Sequence, residues 1–374
     1  MPNKQRKKIL FVTFTLSNGG AKRQIQHLLT YLNREKYSPM LVLLEKTVGY
    51  DIPSDVSVTC LNKKRPYNFF KLIFKLAKIL KKEKPDIVIS FLTYPNILLL
   101  LIKLIIGYKK PIIISERTNL EISLSNIRKN RIKSFLIKKL YPCVDKIISL
   151  SLGVAERLHK AFLIPKEKIV AIHNSVDIRK VQMMAEECPS FEWYQNKAIP
   201  IIIAAGRLTK AKAYPDLFDA FANVRKVLPC RLVILGDGEL EQELKQLAND
   251  LSILDDVAFC GFQQNPFSFM AHSKVFVLSS HWEGFGNVII EAMACGVPVI
   301  STNCPYGPNE IITNGVNGLL VPVGDTDAMA EAILKLLKDD ILRKRLAEAG
   351  KQRSEDFRVE KMVAEYEKIL HELL

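Results

Sequence analysis

Two glutamates with seven residues between them, Glu283 and Glu291, bracket a pair of glycines in the run Glu283-Gly284-Phe285-Gly286-Asn287-Val288-Ile289-Ile290-Glu291. Apolar Val275 to Leu278 precedes the run and reads as a buried parallel strand. Val288 to Met293 follows and is apolar enough for a buried helix. Glycines at such a strand-to-helix turn let a backbone come close to a ligand. The open N–H groups and partial positive charge of a helix start suit a phosphate. Carboxylates repel phosphate, so Glu283 and Glu291 suit neutral hydroxyls on either side of it. An anion site with a hydroxyl acceptor at each end matches a nucleotide sugar, with ribose on one side and hexose on the other.

A departing nucleoside diphosphate needs fixed positive charge or a metal. Strand-like Ile201 to Ala205 leads into Gly206-Arg207-Leu208-Thr209-Lys210-Ala211-Lys212. Arg207 offers a planar fork of donors and Lys212 a point charge on a flexible stem; the residues alone fit an ordinary basic loop equally well. Asp325-Thr326-Asp327 precedes the helical pattern of Ala328 to Leu337 and reads as a helix cap rather than a metal site. No His, Cys and carboxylate cluster has ligand spacing, so neither a divalent metal nor another cofactor is expected. Gly19 and Gly20 follow the first strand and form either an anion-facing turn or a plain tight turn. Gly236-Asp237-Gly238-Glu239 reads as a turn and helix cap, and His281 is placed to line a sugar pocket. Glu116 and Arg117 end another strand, where an acceptor-side role and a salt-bridged loop are equally open.

Positioning these groups falls to an alternation of strand and helix patterns along the whole chain, the mark of α/β architecture with parallel sheets covered on both faces. The pattern divides into residues 1–180, a linker at 181–198 around Pro189 and the Phe191, Trp193, Tyr194 cluster, a second domain at 199–355, and a closing helix at 356–374. Ligands of such sheets sit at the carboxyl ends of the strands.

From Glu283 the text continues through Ala292-Met293-Ala294-Cys295-Gly296-Val297-Pro298-Val299-Ile300, Gly307-Pro308-Asn309-Glu310-Ile311-Ile312 and Gly315-Val316-Asn317-Gly318. This text resembles glycosyltransferase family 4. The resemblance implies the GT-B fold, two Rossmann-like domains facing across a cleft, with the last helix crossing back to the first. It also implies a retaining, metal-independent transfer by same-face attack, the leaving phosphate oxygen helping to deprotonate the acceptor. Arg207 and Lys212 would contact the diphosphate, and the backbone of Gly284, Phe285, Gly286, Asn287 and Val288 would hold it. Glu283 would take the sugar hydroxyls and Glu291 the ribose. Gly19 and Gly20 would approach the diphosphate from the first domain, and backbone around Phe262 would meet the base. Ala213 stands where the family usually has glycine after the lysine. Arg117 stands near a place where some members carry histidine. The implied reaction moves a hexose or N-acetylhexosamine from a UDP-sugar to a lipid-linked or surface-glycan acceptor.

Net charge is +15 over 374 residues, and its distribution is uneven: +23 for residues 1–180 and −8 for the remainder. A basic half implies a polyanionic partner, either an anionic membrane surface or nucleic acid. Lys71, Lys75, Lys78 and Lys82 share one stripe of a helix, with Lys63, Lys64 and Arg65 before it and a second cluster at Arg128 to Lys139. No zinc finger, helix-turn-helix or aromatic RNA-reading motif accompanies this charge, so no nucleic-acid partner is expected. The alternatives are a nucleic-acid-binding protein using that basic half, or a GT-B epimerase, against which the paired glutamates count. The seven cysteines show no C-x-x-C and read as reduced thiols. Without a signal peptide or a spanning segment, the expected address is the cytoplasmic face of the inner membrane, peripherally attached.

Overall fold

The computed structural model describes residues 6–17, 19–47, 49–62, 69–117, 127–195 and 198–374, with backbone alone at 69 and 127–130. Two compact units emerge: Met1–Ser175 together with Val359–Leu374, and Val176–Arg358. Each is built on one sheet in which every pairing of neighbours is parallel.

The first sheet contains β1 Lys7–Thr13, β2 Tyr37–Leu43, β3 Ser57–Cys60, β4 Ile87–Phe91, β5 Ile112–Glu116, β6 Lys146–Ser149 and β7 Ile169–Ala171. Its order is β3-β2-β1-β4-β5-β6-β7. The second contains β8 Ile201–Ala205, β9 Arg231–Leu235, β10 Val257–Phe259, β11 Val275–Leu278, β12 Val299–Thr302 and β13 Leu319–Val321, in the order β10-β9-β8-β11-β12-β13. Both sheets are doubly wound: each grows outward from its first strand in one direction, then reverses. Central strands are unbroken apolar runs because helices cover both faces; Ile9 to Val12 and Ile87 to Ile89 are wholly buried.

The closing helix Val359–Leu373 buries Val359, Met362, Val363, Tyr366, Ile369 and Leu370, the spacing of one helical face. That face joins the core of the first unit with Ile9, Phe11, Ile25 and Leu28.

The segment expected to be a linker, 181–198, differs from that reading. The unit boundary falls at Ser175 and Val176, and the described residues that follow fold onto the second unit. Helix Ile178–Ala185 is held by Asn265, whose Nδ2 donates to the Met184 carbonyl at 2.8 Å. The Tyr194 ring packs on Phe269 at 5.4 Å, and its hydroxyl lies 3.0 Å from that of Ser273. Arg231 lies over Trp193 at 4.5 Å. The aromatic cluster taken as a sign of irregular chain is the apolar surface that glues it down. β13 also went unread in the sequence, since three residues carry too little periodicity.

Candidate active site

In the second sheet the order reverses between β8 and β11. Open α/β sheets take ligands in the crevice at such a point, outside the carboxyl ends of the strands. The segments leaving these two strands carry Arg207, Lys212, Glu283 and Gly286.

The loop after β8 is fixed by its neighbours. A Cβ on Gly236 would stand 2.3 Å from the Gly206 carbonyl oxygen, and one on Gly238 would stand 2.2 Å from that of Leu208. Only glycine permits this backbone-to-backbone approach. Leu208 N–H donates to the Asp237 carbonyl at 2.9 Å. The Asp237 carboxylate accepts from Phe262 N–H at 2.9 Å, so the segment expected to cap a helix instead ties the ends of β8, β9 and β10 together. Phe262, expected at the base, is 63% exposed beside Gly261, whose φ is +63°.

Lys212 ends a short turn, Lys210–Lys212, and its stem passes over Gly206. Its Nζ lies 2.5 Å from Glu283 Oε1, an oxygen that also accepts from the Ser280 hydroxyl at 2.7 Å. Lys212 and Glu283 side chains are 18% and 13% exposed, so the pair is shielded but reachable. The two segments are stitched by Ser279, whose hydroxyl donates to the Lys212 carbonyl at 2.7 Å, and by His281 N–H donating to the Ala211 carbonyl at 2.9 Å. The His281 ring, expected to line a sugar pocket, has a partner in Asp216, with Nε2 and Oδ2 2.7 Å apart. Tyr214 donates its hydroxyl to the Gly206 carbonyl at 3.1 Å, and burial, then the charge of Glu283, raises its pKa well above the ordinary phenol range, so the hydroxyl stays protonated. Arg207 is exposed to solvent at the strand end.

Ala213 adopts φ +46° and ψ 45° and is buried. The chain therefore keeps a left-handed turn at this position with an alanine, at a cost of about 1–2 kcal/mol.

Gly286, at φ +94°, caps helix Asn287–Ala294. No acidic residue occupies the first turn and no side chain caps it, so the positive end of the helix dipole is not neutralised by a carboxylate of its own. A Cβ on Gly307 would lie 2.0 Å from the Phe285 carbonyl oxygen, which fixes the turn from behind. The Phe285 ring is buried, edge-on to Phe357 at 5.7 Å, so Phe285 offers only backbone to a ligand. Glu291 lies one turn inside the helix, 8% exposed. Cys304 lies beneath the site; burial, then Glu283, pushes its thiol up to about 12, which leaves it inert. Asp325 caps helix Thr326–Lys338, accepting from Ala328 N–H at 2.9 Å. Among the described residues no group of three His, Cys, Asp or Glu side chains is arranged to hold a metal.

In the first unit, Gly19 caps helix Gly20–Tyr31 with φ +139°, a conformation that favours glycine, and open space lies where a Cβ would be. For Glu116 and Arg117, left open between an acceptor-side role and a salt-bridged loop, the structure shows partners within the fold. Glu116 is fully buried and accepts from the Thr93 hydroxyl at 3.0 Å and the Tyr141 hydroxyl at 2.8 Å. Arg117, 6% exposed, donates to Ser115 Oγ at 2.8 Å, Asn174 Oδ1 at 2.5 Å and the Tyr366 hydroxyl at 2.5 Å. A buried charge must be paired or hydrogen-bonded throughout, and both are. They brace β5 against its neighbours, and Arg117 ties it to the closing helix.

The basic surface holds a feature that the lysine stripe conceals. Helix Phe69–Glu83 buries Leu72, Ile73, Leu76 and Leu80 but leaves Phe70 and Phe74 each 74% exposed among Lys71, Lys78, Lys81 and Lys82. Lys75, from the same stripe, donates to the Leu61 carbonyl at 2.9 Å. On helix Ile127–Leu140, Ile132 and Phe135 are 71% and 59% exposed near Arg131, Lys138 and Lys139, whereas Ile137 points inward. Lys63, Lys64 and Arg65 lie outside the described residues. Among the described residues no helix is long and apolar enough to cross a membrane.

Comparison with known proteins follows the same division. Residues 190–353 match the family model for glycosyl transferases group 1, and residues 18–180 match that for glycosyltransferase family 4. The N-acetylgalactosamine-N,N'-diacetylbacillosaminyl-diphospho-undecaprenol 4-alpha-N-acetylgalactosaminyltransferase of Campylobacter jejuni is 32% identical, covering 92% of this chain and 94% of its own. A second Campylobacter jejuni protein, GalNAc-alpha-(1->4)-GalNAc-alpha-(1->3)-diNAcBac-PP-undecaprenol alpha-1,4-N-acetyl-D-galactosaminyltransferase, is 31% identical over 98% of this chain and 99% of its own. Among solved structures, Anabaena HepE in complex with UDP superposes with a TM-score of 0.80 at 22% identity, covering 98% of this chain and 100% of that one.

Proposed function

The chain belongs to glycosyltransferase family 4 and has the GT-B fold, and on that premise we propose that it moves a hexose or N-acetylhexosamine from a UDP-sugar to a lipid-linked or surface-glycan acceptor, with retention at the anomeric carbon. The observation that carries this reading is the Lys212–Glu283 pair beside the Gly286-capped helix, at the reversal of the second sheet. The diphosphate would lie against the N-terminal end of that helix, with Arg207 and Lys212 supplying positive charge. Lys212 would then sit between phosphate and Glu283, and the free Glu283 oxygen would accept from a sugar hydroxyl. Glu291, farther along the helix, would accept from the ribose. In the transfer the bond from the anomeric carbon to the phosphate oxygen breaks as the acceptor oxygen bonds to the same face. The acceptor proton passes to the leaving phosphate. All the charge stabilisation in this scheme comes from side chains and helix N–H groups, so no divalent metal is required.

The acceptors named in the Campylobacter relatives are undecaprenol-linked. A membrane-bound acceptor fits the exposed Phe70 and Phe74 among lysines, because aromatic side chains enter the interface while basic ones meet anionic headgroups. Each lysine near such a surface contributes about 1 kcal/mol. The exposed phenylalanines favour a lipid surface over nucleic acid as partner for the basic half. The reading therefore includes peripheral attachment at the cytoplasmic face of a membrane.

The test is to incubate the protein with a panel of UDP- and GDP-sugars and a prenyl-diphosphate-linked acceptor, with and without EDTA. Expected are consumption of one UDP-sugar, an alpha-configured product from an alpha-linked donor, and turnover that survives EDTA. Consumption of no sugar nucleotide would defeat the proposal, and loss of turnover in EDTA would defeat its metal-free form.

A further inference from the structure

The first sheet has its own reversal, between β1 and β4, and hence its own ligand crevice. The segment after β1 carries Phe14, Thr15 and Ser17; the segment after β4 carries Leu92, Thr93 and Tyr94. Phe14 and Tyr94 meet across that reversal edge to face, with centroids 6.0 Å apart and ring planes at 82°. Tyr94 is 38% exposed and Phe14 is half-buried, so the pair presents aromatic surface to solvent.

The backbone is distorted to make this happen. Leu92 has φ +73° and ψ 148°, a conformation essentially reserved for glycine. It is held there by its N–H, which donates to the Ser115 carbonyl at 3.0 Å, and by its carbonyl, which accepts from Asn96 N–H at 3.0 Å. The distortion sends Thr93 inward to Glu116 and leaves the next residue, Tyr94, against Phe14. Strain at a ligand crevice is kept where the geometry it enforces has a use. Polar groups follow Phe14 along the chain. Lys22 Nζ donates to the Ser17 hydroxyl at 2.5 Å, and that hydroxyl lies 3.2 Å from the one on Thr15.

We infer that Phe14 and Tyr94 form a stacking subsite for one sugar ring of the acceptor glycan. The carbon-bound hydrogens of a pyranose make one of its faces apolar, which suits an aromatic surface. Its equatorial hydroxyls point outward, within the chemistry of Ser17 and Lys22. A lipid chain would find those polar neighbours hostile, and the donor's diphosphate groups have their cations on the second unit. The inference rests on the transferase reading given above.

The test is saturation-transfer NMR on the full chain, with UDP in excess so that the donor site is filled. The probes are free N-acetylglucosamine, N-acetylgalactosamine, glucose and the disaccharide chitobiose. At least one of these should receive saturation on its ring C–H protons from the parent protein and from Tyr94→Phe. Tyr94→Ala and Phe14→Ala should lose the signal at least fivefold, while UDP binds each with the parent Kd. Equal signals in parent and Tyr94→Ala, or none in the parent, would overturn the subsite. Because this readout needs no turnover, the two ideas separate. A ring-dependent signal in a protein that consumes no sugar nucleotide would sink the transferase reading and leave a sugar-binding crevice standing. Normal turnover with ring-independent signals would do the reverse.

Discussion

The two units share one winding plan, yet they place charge at their strand ends in opposite ways. At the reversal of the second sheet, Lys212 and Glu283 form a close pair that remains reachable from solvent. At the end of β5 in the first sheet, Glu116 and Arg117 are sealed inside and saturated by hydroxyls and an amide. Both arrangements answer the same requirement, that a charge taken out of water must be compensated. They differ in what supplies the compensation. A buried charge bonded only to its own fold works as a brace. A shielded pair beside a helix start that no side chain caps retains capacity for a third party. Position at a strand's carboxyl end is therefore not enough to assign chemistry; the partners decide.

Mutations break this comparison in order of size. Lys212→Ala and Glu291→Ala should each lower the rate of sugar transfer by about a hundredfold or more, since on the proposed reading each removes a group that acts on the donor. Their melting temperatures should stay near the parent value, as read by calorimetry beside initial rates. Arg117→Ala should do the opposite. It strips three partners of a buried cation and should cost about 3 kcal/mol of stability by denaturant titration. A rate loss with unchanged stability would move Arg117 from brace to site. On the outer face of the first unit, Phe70→Ser with Phe74→Ser should weaken binding to anionic vesicles about tenfold, as expected when two partly inserted rings are removed. Binding to a random oligonucleotide should be unaffected, and a parallel loss there would favour nucleic acid as the partner. The smallest effect belongs to Ala213→Gly. Relief of the left-handed alanine, offset by glycine's greater freedom when unfolded, should raise stability by about 0.5–1 kcal/mol with turnover little changed.

The second unit was the more legible half. Its strands are short apolar runs, β8 and β9 each followed at once by a glycine, and the spacing of Glu283, Gly286 and Glu291 is local, so one pass along the chain finds it. Partners brought by distant segments were not legible. Lys212 meets Glu283 from 71 residues away, and Asp216 takes His281 from 65, through side chains with nothing unusual in their local text. Asp237 was read as a cap because Gly-Asp-Gly is a turn signal, yet its role depends on β10 lying beside β9. In the first unit, Arg117 stayed open between an acceptor-side contact and a salt-bridged loop because its acceptors, Asn174 and Tyr366, are 57 and 249 residues away. Phe70 and Phe74 were missed because a helix pattern does not say which of its apolar residues face outward; only the fold shows that Leu72, Ile73 and Leu76 are the buried ones.

The closing helix has a bearing on how the molecule is born. The first unit needs Val359, Met362, Val363, Tyr366, Ile369 and Leu370 to finish its interior, and these are translated after the whole of the second unit. During synthesis the earlier half must wait, with an apolar trough uncovered, while the later half matures and folds ahead of it. A nascent chain stalled before residue 359 would thus present a chaperone with a defect at its beginning rather than at its end.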